Sequence, residues 1–500
     1  MRNKHIIIGL VSLIGIAIVA ILALILIPKF LTPKQVSTPT YWPTNGWRTS
    51  TPEEQGIDSV KLAKMLQEIQ KQNIQINSLL VIRDGAVILA AYFHNPYDGT
   101  FPHDMASVTK SIMTTLIGIA VGQGKIKLDE PILTYFPDRT IANLDQSKEQ
   151  ITVRTLAGMV NGFESGCLAG DDATLNLMRS NPDWIQATLD RKMVGEPGKN
   201  FCYDSPGMHL LSAILQESTG MTALEFAKQY LFGPLGIQDV SWATDPQGYT
   251  HGWGDLHLYP QDAAKIGYLF LNGGKWDGQQ IVPSEWVEEA VKPHVKAGED
   301  DYGYGWWIDD DSYAASGRGG QHIFVVPSLK AIVVSTGAGF DYDQVDPLLT
   351  ATVIDPKNPL PANPEGVAQL ETALDSLKKP PPPLPNGVTT ETSQAVSGKT
   401  YIFEPNPAML ASSIFEYKDP SEAIINLKFQ GNAIVWRVGL DDQYHLSSDG
   451  SIMRGYWKDA ATFLVEAFDV GLSTYQFKFT GDQVLVEAPG VTLEGQVSSP

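Results

Sequence analysis

The chain has 500 residues, 43% of them apolar, enough to bury two or three cores, so it is not a disordered protein. Lys and Arg total 36 against 56 Asp and Glu, a formal charge of -20. That surplus excludes phosphate-backbone binding by the chain as a whole, and nucleic acid drops out as a partner.

Basic Arg2 and Lys4 precede an uncharged, almost wholly apolar run from Ile6 to Ile27, long enough to span a bilayer. The run ends in Leu-Ile-Leu-Ile-Pro with no small-residue cleavage pattern after it, so residues 1–30 are expected to be an uncleaved transmembrane anchor. The basic N-terminal flank favours an N-terminus in the cytoplasm and a body that is extracytoplasmic, periplasmic or at the cell surface. A cleaved signal peptide is the alternative. Residues 31–46, rich in Pro and Thr, read as a tether.

A compact domain is expected over 47–355. SLLVIRDGAVILAAYF, from Ser78 to Phe93, is two β-branched runs around Asp-Gly, a strong hairpin signal. The stretch that follows Ser107 is apolar nearly all round and predicts a buried helix. The middle of the domain alternates helical patterns with Gly/Pro-rich loops, and QHIFVVPSLKAIVVST, from Gln321 to Thr336, predicts a last hairpin that completes the sheet. Residues 356–388, peaking at KKPPPPLP, read as a semi-rigid linker. Beyond it, 389–500 holds short alternating runs separated by Asp-Gly, Gly-Asn and Gly-Asp turns, the pattern of a small antiparallel barrel or sandwich. An exported body meets an oxidising compartment, where Cys167 and Cys202, the only two cysteines, are a disulfide candidate; two buried free thiols are the alternative.

Ser107 and Lys110 stand three residues apart at the mouth of the buried helix. Positions i and i+3 share a helix face, so the lysine can reach back to the serine hydroxyl, which is a poor nucleophile unless something takes its proton. Free N–H groups at a helix N-terminus also favour the oxyanion formed on attack. The bland alternative is an N-cap serine with a solvated lysine, and the pattern alone is weak, because Ser376 to Lys379 repeats it in the linker.

The segment MASVTKSIMTTLIGIAVGQGKIKLDEPILTYFP resembles the S-x-x-K segment of the serine β-lactamase and penicillin-binding-protein superfamily, in its class C and esterase-like branch. ITVRTLAGMVNGF, Ile151 to Phe163, resembles the family's I-T-x-x-x-L-L-x-H-x-S-G segment, and the stretch from Pro197 to Ile237 its Y-x-N or Y-x-S box, with Tyr203 and Ser205 at those positions. The resemblance implies an α/β (α+β) fold: an antiparallel sheet flanked by helices with a helical subdomain, followed by a small β-barrel similar to the lipocalin-like tail of some members. It also implies catalysis by Ser107, Lys110 and Tyr203. The tyrosine relays protons, which needs a neighbouring cation. The N–H groups of Ser107 and Arg318 form an oxyanion hole, and Ser205, Ser316, Gly317 and Trp253 contact a small-molecule ester, amide or peptide substrate.

The third box departs from the family: Ala315-Ser316-Gly317 stands where Lys-Thr-Gly is usual, so recognition of a carboxylate loses its cation. The resemblance calls for no cofactor or metal, and neither H-E-x-x-H nor G-x-S-x-G occurs. His209 and His322 read as structural, and the aromatic part of DYGYGWWIDDD as packing. Three other functions stay open: a slowly acylating or non-catalytic penicillin-binding-like sensor, a β-lactamase or D-Ala-D-Ala carboxypeptidase, and a C-terminal β-domain that binds a ligand with the rest as its display platform.

Overall fold

The computed structural model describes residues 39, 41–93, 98–165, 173–378, 383–384, 391–429, 433–468 and 471–498, with Tyr41–Pro500 a single unit. The expected membrane anchor lies outside the described residues. Among the described residues no helix is long and apolar enough to cross a membrane.

Nine strands form the first sheet: β1 (Arg48–Thr49), β2 (Ile76–Arg83), β3 (Ala86–Tyr92), β4 (Val295–Ala297), β5 (Asp300–Tyr302), β6 (Trp307–Ile308), β7 (Tyr313–Gly317), β8 (Gln321–Val326) and β9 (Ala331–Gly337). Their order is β1-β3-β2-β9-β8-β7-β6-β5-β4, antiparallel throughout except for the β1–β3 pair. Between β2 and β3, Asp84 and Gly85 both have positive φ, 46° and 75°, as the tight primed turn of an Asp-Gly hairpin requires. The last hairpin, β8–β9, closes the sheet as expected, with Ile332 opposite Ile82 of β2.

Two helix layers cover this sheet. On one face, α1 (Ser59–Lys71) and α5 (Pro364–Leu377) bury Leu62, Leu66, Leu370 and Leu377 against Leu79, Val81 and Val333. On the other, α2 (Val108–Gly122) and α4 (Pro260–Leu271) bury Ile112, Leu116 and Ile266 against Leu80, Ile82 and Ile323, with α3 (Ser205–Thr219) packed on α2. Helix α2 is buried continuously from Val108 to Ala120, as its all-round apolar pattern requires. Helix α5 corrects the expected linker: inside 356–388, Leu370, Ala373 and Leu377 recur at helical spacing and give the segment a core-facing stripe.

The C-terminal domain is a closed barrel of nine strands: β10 (Thr400–Phe403), β11 (Leu410–Asp419), β12 (Glu422–Phe429), β13 (Ala433–Gly439), β14 (Ile452–Trp457), β15 (Thr462–Phe468), β16 (Leu472–Thr480), β17 (Gln483–Ala488) and β18 (Val491–Val497). An odd number of strands cannot close with antiparallel pairs alone. The β13–β14 joint is accordingly parallel, with Val438 opposite Met453, which departs from the eight-stranded up-and-down lipocalin pattern. Its interior is filled by Tyr401, Phe415, Trp457, Phe463, Phe477 and Phe479. The crossover demanded by the parallel joint, residues 440–451, touches the first domain. Phe101 packs against the pair Tyr444 and Ile452, and Gly450 sits so close to the ring of His257 that a Cβ there would be 2.5 Å from it.

Candidate active site

Ser107 occupies the N-cap of α2, yet its backbone is already helical (φ -74°, ψ -6°) and its side chain makes no cap bond. The hydroxyl is instead held by Lys110, whose Nζ donates to Ser107 Oγ at 2.9 Å and to the carbonyl oxygen of Trp253 at 2.9 Å. Lys110 is only 2% exposed, which removes the alternative of a capping serine with a solvated lysine. The Tyr203 ring centroid lies 4.8 Å from Lys110 Nζ. The Trp307 ring lies nearly parallel to it, with centroids 6.4 Å apart. Serine, lysine and tyrosine are thus gathered from α2 and the approach to α3.

The turn into the serine is strained. Ala106 has φ 45°, a conformation that costs a non-glycine residue about 1–3 kcal/mol. Asp104 Oδ1 steadies it by accepting from the Ala106 N–H at 2.8 Å. Strand β7 passes alongside: a Cβ on Gly317 would lie 2.8 Å from the Ser107 nitrogen and 2.9 Å from the Met105 carbonyl oxygen. Among the described residues neither the Ser107 N–H nor the Arg318 N–H donates to a backbone or side-chain acceptor. The Arg318 guanidinium is mostly exposed and reaches Asp104 at 3.7 Å.

The remaining expected contacts are placed unequally. Ser205 is buried at the first position of α3, two residues beyond Tyr203. Ser316 alternates with Gly317 along β7, so its side chain leaves the opposite face, 3.1 Å from His322 Nδ1. It is Gly317, not the Ser316 hydroxyl, that β7 presents to Ser107. Buried Ala315 leaves the third box without a cation. Trp253 serves through its carbonyl oxygen, because its ring is buried and stacked on His251 at 4.3 Å. Of the cysteines, Cys202 is disulfide-bonded, and Cys167 lies outside the described residues. His209 is fully buried against Asp245 at 3.0 Å, and its burial holds the imidazole below its usual range.

Two supports were not foreseen. Asp204, between the tyrosine and the serine of the second box, takes both guanidinium NH groups of Arg191 at 2.8 Å and the amide of Asn161 at 2.9 Å. The loop that offers the Trp253 carbonyl is clamped by His251 Nδ1 on Asp255 Oδ2 at 2.6 Å. It also needs Gly252, where a Cβ would be 2.1 Å from the Met208 carbonyl oxygen. The Gly-Trp-Gly-Asp run was the only sequence signal for this loop.

A buried Ser-x-x-Lys helix beside an antiparallel sheet defines the class, and the Beta-lactamase family profile matches residues 62–351, more than half of the chain. The chain belongs to the Beta-lactamase family. It is 23% identical over 318 residues to the 6-aminohexanoate-dimer hydrolase of Paenarthrobacter ureafaciens, covering 59% of this chain and 81% of that protein. It is 27% identical over 192 residues to the lovastatin esterase of Penicillium rubens, covering 34% of this chain and 46% of the esterase. Among solved structures, EstCE1, a hydrolase with promiscuous acyltransferase activity, aligns with TM-score 0.52 at 17% identity over 59% of this chain and 99% of its own, a likeness of fold alone.

Proposed function

We propose that the protein is a membrane-anchored, extracytoplasmic serine hydrolase that cleaves an ester or small amide through an acyl-enzyme on Ser107. The observation that carries this reading is the 2.9 Å contact of Ser107 Oγ with the Lys110 amine, which is sealed from water. Ser107 Oγ attacks the acyl carbon as Lys110 takes the hydroxyl proton. Tyr203 passes a proton to the departing alcohol or amine as the C–O or C–N bond breaks. A water then attacks the ester, giving its proton to Tyr203, while Lys110 returns one to Oγ. The N–H groups of Ser107 and Arg318 hold the oxyanion in both halves, and Ser205 orients the substrate beside Tyr203.

Esterase and amidase relatives support this choice, and the loss of the third-box cation at Ala315 speaks against a β-lactamase or a D-Ala-D-Ala carboxypeptidase, whose substrates carry a carboxylate. The apolar run from Ile6 to Ile27 supports the anchor, and deleting residues 1–40 is expected to move the protein from the membrane to the soluble fraction.

The test is product release from p-nitrophenyl esters and a penicillin by the full chain in detergent, wild type and Ser107→Ala. Ester turnover falling at least about 1000-fold in the variant, with an unchanged melting temperature, is the expected result. Undiminished turnover in Ser107→Ala would overturn the reading.

A further inference from the structure

Strand β7 has two faces, and only one of them belongs to the serine. Gly317 points toward the Ser107 nitrogen, whereas Ala314 and Ser316 point the other way, alongside their cross-strand partners Phe324 and His322. On that rear side lies a cleft of about 720 Å³, within the range of small-molecule sites, and Ser107, Lys110 and Tyr203 are not among its lining residues.

Its walls are aromatic: Trp307, Phe324, Phe340 and Tyr342, with the Phe324 and Tyr342 rings stacked at 4.0 Å. Its rim carries Asp300, Asp309, Asp341 and Asp343, which are exposed and form no ion pair among the described residues. No lysine or arginine lines it. The nearby cations are engaged elsewhere, Arg318 toward Asp104 at 3.7 Å and Lys296 on Asp301 at 2.9 Å. The one basic group inside, His322, is neutral at pH 7, because burial pushes its imidazole down to about 4, against the opposing pull of Asp341.

Aromatic faces attract cations through their quadrupole, and an unpaired acidic rim adds attraction of the same sign. We propose that the cleft behind β7 is a second binding site, for an organic cation with an ammonium head on an apolar or aromatic body. The aromatic walls take the body and the head sits among the carboxylates. The site adjoins catalytic parts: Ser316 and Gly317 both line the cleft while Gly317 also abuts the Ser107 nitrogen, and Trp307, a wall of the cleft, stacks on Tyr203.

The experiment titrates the full chain in detergent with benzyltrimethylammonium, and with benzyl alcohol as a neutral comparison, by calorimetry at low and high salt. Wild type and Ser107→Ala are expected to bind the cation alike, the alcohol at least ten-fold more weakly, with the cation weakened by salt. Asp309→Asn, Asp341→Asn and Asp343→Asn combined should weaken the cation at least ten-fold. Asparagine keeps the side-chain oxygens that accept the N–H groups of Asp310 and Asp343, so the loops are retained. Tyr342→Ala should lower affinity in the same direction. Absence of saturable binding, equal binding of the alcohol, or full affinity in the triple variant would overturn the proposal. So would loss of binding once a fluorophosphonate occupies Ser107, which would place the cation in the catalytic pocket. Because the binding readout needs no turnover, failure here is separable from failure of the hydrolase reading.

Discussion

Ser107 and Ser376 each stand three residues before a lysine in the same chain, and their surroundings differ at every level. Ser107 opens a helix and its N–H has no acceptor among the described residues, while Ser376 closes one and donates its hydroxyl back to the Ala373 carbonyl. Lys110 is sealed under Tyr203. By contrast, Lys378 in the second copy is exposed and paired with Asp375, and Lys379 lies outside the described residues. Four letters therefore specify chemistry only where the fold supplies a helix start, a dry wall for the amine and a second strand at the serine nitrogen.

The strongest way to break this contrast is to remove the lysine. Lys110→Ala is expected to slow acylation by roughly 100- to 10000-fold, read by the rate of nitrophenol release in the first turnover. Next comes the support of the second box. Asp204→Ala leaves the Arg191 guanidinium, 10% exposed, without its carboxylate, and the loss of such a buried pair costs about 3–5 kcal/mol, measurable by urea denaturation. Gly317→Val tests whether β7 must touch the serine: a side chain 2.8 Å from the Ser107 nitrogen should lower the acylation rate about 100- to 1000-fold and, because it meets backbone, cost about 1–3 kcal/mol of stability.

A smaller effect concerns pH. Burial, with a lesser push from His257, lowers the His103 imidazole from 6.5 to about 3. The folded protein then resists protonation that the unfolded chain accepts, so this stabilisation is complete above pH 6.5 and is lost as pH falls toward 3. The unfolding free energy should drop between pH 6.5 and 4, and His103→Gln should flatten the slope. At the bottom of the scale, Ser376→Ala is expected to change neither turnover nor acylation.

Much of this was legible where chemistry is local. Asp84-Gly85 announced the first hairpin because two consecutive positive φ values favour that pair, and the apolar run after Ser107 announced a buried helix. The approach of Gly317 to Ser107 joins residues 210 positions apart, and the positive φ of Ala106 is imposed by tertiary contacts, so neither has a local signature. Helix α5 was hidden by the prolines on either side of it, although Leu370, Ala373 and Leu377 already carried its period. The barrel's strands were visible as alternating runs, while the parallel joint follows from the count of strands around a closed ring, which alternation does not reveal.

The most direct measurement is peptide mapping of the full chain after reaction with a fluorophosphonate, for wild type, Ser107→Ala and Ser376→Ala. The account predicts one adduct, on Ser107, in wild type and Ser376→Ala, and none in Ser107→Ala. An adduct that persists in Ser107→Ala, or the absence of any adduct in wild type, would contradict it.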